Sequence, residues 1–233
     1  MLSNWQRWFK INLQTPCPLC AVPFEPDNKS ICQSCYDVLP WVDNNDARPE
    51  IFSAFYYESP IDQLILTGKQ AKRLDRLQLL AELITPYFIQ QLTHKPQAIL
   101  PVPLHTKRLR ERGFNQALEL TRLLAKQLNI PLLTDAVIRQ RHTSEQKYLA
   151  ARERTHNLQH AFACTQPLPY QHVAIFDDVV TTGATTQALA ELLQTQGVAT
   201  VQIWCIAKTK QRLDIAKQYA IDYDTASIMS DDF

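Results

Sequence analysis

The chain has 233 residues, 45% of them hydrophobic, which suffices for one medium domain with a packed core and a small appendage. A formal net charge of +1 excludes a global polyanion-binding surface, so any attraction to nucleic acid must come from local basic patches. No apolar run approaches the ~18 residues of a membrane span, and the first ten residues lack a signal-peptide core, so the expected location is the cytoplasm.

Trp5, Trp8 and Phe9 have helical spacing, with Arg7 and Lys10 opposite; this stripe is expected to dock on the rest of the protein rather than on a membrane surface. Cys17-Pro-Leu-Cys20 and Cys32-Gln-Ser-Cys35 follow, eleven residues apart. Two such knuckles can present four thiolates as a tetrahedron, the arrangement of a closed, structural zinc site. Disulfides and an iron–sulfur cluster are the alternatives. Residues 1–48 are therefore expected to form a four-cysteine zinc-binding module, too short to build its own core. Cys164 and Cys205 sit among apolar neighbours and are expected to be buried small hydrophobes.

The polar run over residues 43–49 marks the boundary, and residues 49–233 form the second domain. Its expected elements begin with a strand over 51–57. Helical patterning from about 61 to 92 follows, with Leu64, Leu77, Leu80, Leu83 and Ile84 inward and Pro86 breaking or restarting the helix. A buried strand at 98–103 ends in a stiff Pro101-Val102-Pro103 loop. Gly113 permits a turn and Asn115 can cap a helix running to about Leu128, striped by Leu120, Leu124 and Leu128. Short strands at 137–139 and 161–164 flank a long basic stretch. A strand from 173, a helix over 185–196 stopped by Gly197, and a strand over 201–206 complete the order. Repeated strand–helix–strand order predicts an α/β fold, a mostly parallel sheet covered on both faces, with ligands at the carboxyl ends of its strands.

Residues 173–185, Val-Ala-Ile-Phe-Asp-Asp-Val-Val-Thr-Thr-Gly-Ala-Thr, carry the most chemistry. A buried strand delivers Asp177 and Asp178 to a surface, and Thr181, Thr182, Gly183, Ala184 and Thr185 have side chains small enough for backbone N–H groups to close on an anion. An anion beside two carboxylates makes sense when the ligand also offers hydroxyls and a divalent cation is near, so the segment calls for a ribose phosphate.

This segment resembles the PRPP-binding motif of type I phosphoribosyltransferases. The resemblance implies Mg²⁺-PRPP as ligand, Asp177 and Asp178 as the catalytic acids on the ribose hydroxyls, and 181–185 on the 5-phosphate. It also implies a pyrophosphate loop made of Val102, Pro103, Leu104, His105, Lys107 and Arg108. The paired cysteines, Pro101-Val102-Pro103, Arg112-Gly113-Phe114-Asn115-Gln116, Thr143 with Gln146, Arg154 with Asn157 and the Asp-Asp motif together resemble the ComF family, a zinc-knuckle module fused to a type I phosphoribosyltransferase-like domain. The family implies a part in natural competence, the uptake of transforming DNA, with single-stranded DNA and a helicase-like competence protein as partners. Arg110, Arg112, Arg139, Arg141 and Arg154 are then candidates for contact with DNA or pyrophosphate. Tyr170-Gln171-His172 and Gly197-Val198 depart from the family pattern at two turns. A non-catalytic single-strand DNA adaptor with a PRPP- or nucleotide-sensing site is the alternative function. Neither the acceptor nor the oligomeric state is legible in the sequence.

Overall fold

The structure, a computed structural model, describes residues 15–26, 30–43, 48, 50–70, 73–140 and 161–210. The chain divides into two compact units, Met1–Leu39 and Pro40–Phe233.

In the first unit, β1 (Thr15–Pro16) pairs antiparallel with β2 (Pro23–Phe24). The tight turn between them, closed by the Ala21 N–H on the Cys17 carbonyl at 2.8 Å, carries Cys17 and Cys20. Cys32 stands at the N-cap of α1 (Gln33–Asp37), and Cys35 lies within that helix. Each knuckle is thus a turn that brings both of its sulfurs to one side.

The second unit runs β3 (Ile51–Tyr56), α2 (Ile61–Gly68), α3 (Leu74–Gln91), β4 (Ala98–Pro101), α4 (Thr106–Arg112), α5 (Gln116–Leu128), β5 (Val137–Arg139), β6 (Phe162–Cys164), β7 (His172–Val180), α6 (Ala184–Thr195) and β8 (Thr200–Lys208). Four strands form one parallel sheet in the order β3-β8-β7-β4, while β5 and β6 make a separate antiparallel ribbon. Parallel neighbours need long crossovers, and the intervening helices provide them.

Strand alternation sorts the core into two layers. Val173 and Ile175 of β7 join Ala98 and Leu100 of β4 in a cluster with Leu189 and Leu193 of α6 and Val137 and Phe162 of the ribbon. On the opposite face Phe176 meets Phe88 of α3, which packs edge-on to Phe52 and Trp204. Helices therefore cover both faces, as the sequence predicts. Leu64, Leu77, Leu80, Leu83, Ile84, Leu120, Leu124 and Leu128 are all buried as expected; of Ala188, Leu189, Leu192 and Leu193, which the sequence also turns inward, Leu189 and Leu193 are buried and Ala188 and Leu192 half-buried.

Short segments flank both sides of the sheet. Residues 40–42 lie antiparallel to β3, with the Tyr56 N–H on the Pro40 carbonyl at 2.7 Å and the Val42 N–H on the Ala54 carbonyl at 2.9 Å. Beyond β4, the Ile99 N–H reaches the Pro131 carbonyl at 3.0 Å and Leu132 bridges Ile99 in parallel.

Two local expectations are corrected. Pro86 neither breaks nor restarts a helix: α3 is continuous from Leu74 to Gln91. Pro86 is on the solvent side, where the carbonyl it strands can face water, while buried Ile84, Thr85 and Phe88 anchor the turns around it. The stretch carrying Lys107, Arg108 and Arg110 is a helix rather than a loop. His105 caps α4 by accepting the Lys107 N–H at 3.2 Å, and Gly113 ends it at φ 80°. Trp5, Trp8 and Phe9 lie outside the described residues.

Candidate functional site

In the first unit, the sulfurs of Cys17, Cys20, Cys32 and Cys35 all lie within 4.8 Å of one another. Cys20 and Cys32 are 3.7 Å apart, too far for a disulfide, and all four are free thiols. Burial works to raise the pKa of Cys17, but backbone N–H groups of Cys32, Cys20 and Leu19 outweigh it and bring the thiol from 9.0 to about 6. Burial, and then hydrogen bonds with the other three sulfurs, raise Cys35 well above its ordinary value. Cys17 is thus the readier thiolate and Cys35 the more reluctant one. That donor set fits zinc, and the four cysteines could hold it. Of the other two cysteines, Cys205 is buried as expected but Cys164 is only half-buried; burial raises both, and Cys205 reaches about 12, too high for a nucleophile.

In the second unit, β7 carries the acid pair to the carboxyl end of the sheet. Asp177 lines an open cleft whose other walls are residues 179–186. Gly183, at φ 79°, turns the chain into α6, and no side chain caps that helix. The Thr182 hydroxyl lies 3.4 Å from the Ala184 N–H and the Thr186 hydroxyl donates to the Gly183 carbonyl at 2.9 Å, so hydroxyls and first-turn amides surround the cleft. A helix start of this kind, walled by small hydroxyl residues, leaves room and donors for an anion.

Asp178 faces other partners. It is 6% exposed. Its Oδ2 is 2.8 Å from the Lys69 ammonium and 3.4 Å from the Gln116 amide nitrogen, and its Oδ1 accepts the Val179 N–H at 2.9 Å. Lys69 follows the last turn of α2. Gly68 lets that turn close on α3, since a Cβ there would lie 2.7 Å from Leu77 Cδ2.

Burial, then the charge of Asp178 and a hydrogen bond with it, raise the pKa of Asp177 well above the ordinary carboxylate value. The folded state therefore holds a proton that the unfolded chain releases near pH 4. The stability this proton confers is complete below that pH and is lost as pH rises through the folded value. Asp177→Asn should unfold at a higher temperature than the wild type at pH 8 and show a flatter pH profile. Parallel pH profiles for the two proteins in calorimetry would count against this.

Beneath the cleft lie two cations that the sequence did not single out. Buried Arg48 donates to the Thr181 carbonyl at 2.7 Å and to the Thr209 carbonyl, tying the start of the anion loop to the end of β8. Buried Lys208 donates to the carbonyls of Arg48 at 2.8 Å and Ile51 at 3.0 Å. These bonds turn the Thr181 carbonyl toward Arg48, which directs the N–H on the far side of that peptide the opposite way.

The remaining expected residues divide. Val102 continues the pairing of β4 with β7, its N–H on the Phe176 carbonyl at 2.8 Å, and its carbonyl accepts the Asn115 side chain at 3.0 Å. Pro103, Leu104 and His105 thus start from the strand beside the acid pair. Lys107 and Arg110 are exposed on α4, with Arg108 and Arg112 half-buried. Arg139 is on the separate ribbon, its guanidinium 5.5 Å from the Phe162 ring centroid. Arg141 and Arg154 lie outside the described residues, as do Thr143, Gln146 and Asn157.

No protein-family model matches the chain. Among solved structures, it is similar to adenine phosphoribosyltransferase from Trypanosoma brucei: 16% identity, TM-score 0.42, 69% of this chain and 72% of that one. Another is Leishmania donovani UMP synthase, at 18% identity and TM-score 0.36; 64% of this chain matches 24% of that one. Two curated relatives are nearer in sequence. Competence protein F of Haemophilus influenzae is 38% identical over 148 residues, 62% of this chain and 58% of that protein, so the chain spans less than two thirds of it. DNA utilization protein YhgH of Escherichia coli K12 is 32% identical over 204 residues, 84% of this chain and 85% of that protein. With 32% identity to a relative over 84% of this chain, and with a four-cysteine cluster ahead of a parallel sheet that ends in an acid pair and a hydroxyl-rich turn, the chain belongs to the ComF family.

Proposed function

We propose that the second unit binds a ribose phosphate, with PRPP and Mg²⁺ as the ligand, and that the protein serves the handling of incoming single-stranded DNA. The observation that carries the reading is the uncapped start of α6 opening on a cleft walled by Asp177. The 5-phosphate would sit on residues 181–185 and the ribose hydroxyls against Asp177 and Asp178. Magnesium carried with the ligand would supply charge neutralisation for the pyrophosphate. Val102, Pro103, Leu104 and His105, with Lys107 and Arg108 on α4, would lie against that pyrophosphate.

In transfer, the bond from the anomeric carbon to pyrophosphate breaks with its electron pair leaving on oxygen, and an acceptor lone pair forms the new bond. The protein's work is to stabilise the departing charge, hold the sugar and exclude water. Asp177 and Asp178 would balance the cationic sugar.

Isothermal titration of the zinc-loaded chain with PRPP, with and without Mg²⁺, tests this. Mg²⁺-dependent heat is expected, weakened at least tenfold in Asp178→Asn, as one lost charged hydrogen bond implies. Absence of binding under both conditions would refute the ligand assignment.

A second reading, a non-catalytic single-strand DNA adaptor that senses PRPP or a nucleotide, is favoured by α4, where Lys107 and Arg110 are exposed beside half-buried Arg108 and Arg112. Contacts of that kind track phosphates, and their affinity falls steeply with salt. The names of the relatives, a DNA utilization protein and a competence protein, support a role with DNA, and docking to a helicase-like competence protein would belong with this reading.

A further inference from the structure

Gln116 opens α5 beside Asp178 and is 5% exposed. Its carbonyl oxygen, Oε1, is buried with no hydrogen-bond partner among the described residues. Charge sets the orientation of this amide. Asp178 is in an ion pair with Lys69 and its Oδ2 is an acceptor, so the Gln116 NH₂ must face it, 3.4 Å away, and Oε1 must face elsewhere. A buried carbonyl left without a donor is unfavourable, and such an orphan marks where a donor belongs.

The acceptor count beside it says what that donor is. A carboxylate offers about four acceptor positions. On Asp178 the Val179 N–H takes one, Lys69 and Gln116 take two more, and the Asp177 carboxyl takes the last. A ligand presenting a hydroxyl to Asp178 would find no acceptor place free and would need another acceptor close by. Gln116 Oε1 is such an acceptor. Lys69, with a side chain 26% exposed on a flexible stem, is the member of the group able to move aside.

We propose that Gln116 is a ligand-binding residue whose Oε1 accepts a sugar hydroxyl beside Asp178, so that the site selects ribose phosphates over deoxyribose phosphates. This rests on the ribose phosphate reading above and adds a specificity residue to it.

The test titrates the full chain with ribose 5-phosphate, its 2-deoxy and 3-deoxy analogues, and inorganic phosphate. The wild type, Gln116→Met and Gln116→Asn are compared, with thermal unfolding as the check on folding. In the wild type one deoxy analogue should bind about tenfold more weakly than ribose 5-phosphate, the worth of one hydrogen bond. In Gln116→Met that penalty should vanish, because ribose 5-phosphate falls to the level of the analogue, while inorganic phosphate binds as before. Gln116→Asn, which keeps the amide and shortens its reach, serves where Met does not fold, with the same loss expected. If the variants discriminate as the wild type does, Oε1 is satisfied by water and the proposal fails while the ribose phosphate reading stands. Equal wild-type affinity for all three sugar phosphates overturns it in the same way. A wild type that binds inorganic phosphate but no sugar phosphate refutes the reading and the proposal together.

Discussion

Removing zinc with a chelator should unfold the first unit while the second keeps its melting transition. Among the described residues of that unit only Cys17, Ile31 and Leu39 are buried apolar groups, far too few for a hydrophobic core. What holds it is the convergence of four sulfurs within 4.8 Å. Structural zinc in such peptides contributes an apparent ~10–16 kcal/mol, so its loss exceeds anything the two-residue strands and short α1 could offset. The expected readings are one zinc per chain by elemental analysis, and rapid protease cleavage within residues 15–39 after chelation. Cys32→Ser should show both defects without chelator, since the remaining three sulfurs leave the tetrahedron open. A chelated protein that resists cleavage there and never carried metal would rule the zinc assignment out.

The second large effect is expected at Arg48. Its two charge-assisted bonds, to the carbonyls of Thr181 and Thr209, join segments 133 and 161 residues away in the chain. Arg48→Met keeps most of the volume and removes both donors, leaving two carbonyls without them. At roughly 1.5–3 kcal/mol for each bond to a charged group, destabilisation of about 3 kcal/mol or more should follow, read from the urea midpoint. The anion loop would lose the bond that fixes its first peptide, so inorganic phosphate affinity should fall by at least tenfold under conditions where the variant is still folded. Unchanged phosphate binding in a folded Arg48→Met would show that the loop holds its shape without the arginine. Lys208→Met provides the comparison, because its bonds support the backbone of Arg48 and Ile51 rather than the loop itself.

The contrast between these sites shows what a sequence carries plainly. The cysteine knuckles, the strand running into Asp177 and Asp178, and the Gly183 turn are local patterns, legible because their chemistry depends on spacing within a few residues. Parallel pairing was legible too, since helices alternate with apolar strands. Arg48 was hidden in a polar connector, Lys69 at a helix end and Lys208 at the foot of an apolar strand, where nothing nearby in sequence announces their partners. Gln116 stood inside a recognised motif, yet its position against Asp178 spans 62 residues and exists only once α5 packs on β7. At Pro86 the local rule misled, because a proline's missing hydrogen bond matters less on an exposed face of a well-anchored helix. The segment from Thr106 to Arg112 reads as loop by composition, but His105 and Gly113 supply the two ends that make it a helix.

The prolines at the two margins of the sheet carry a different consequence. A strand with an unpaired outer edge is a template onto which another chain can zip, and repetition of that step leads to fibres. Here the segment along β3 includes Pro40 and the one along β4 includes Pro131, each contributing a carbonyl inward. The N–H each proline lacks stops its segment from lengthening into a regular strand, so what faces outward is a short, irregular edge rather than a full row of donors. Self-association of this domain is thereby steered toward side-chain surfaces, which can be made specific, and away from backbone addition, which cannot.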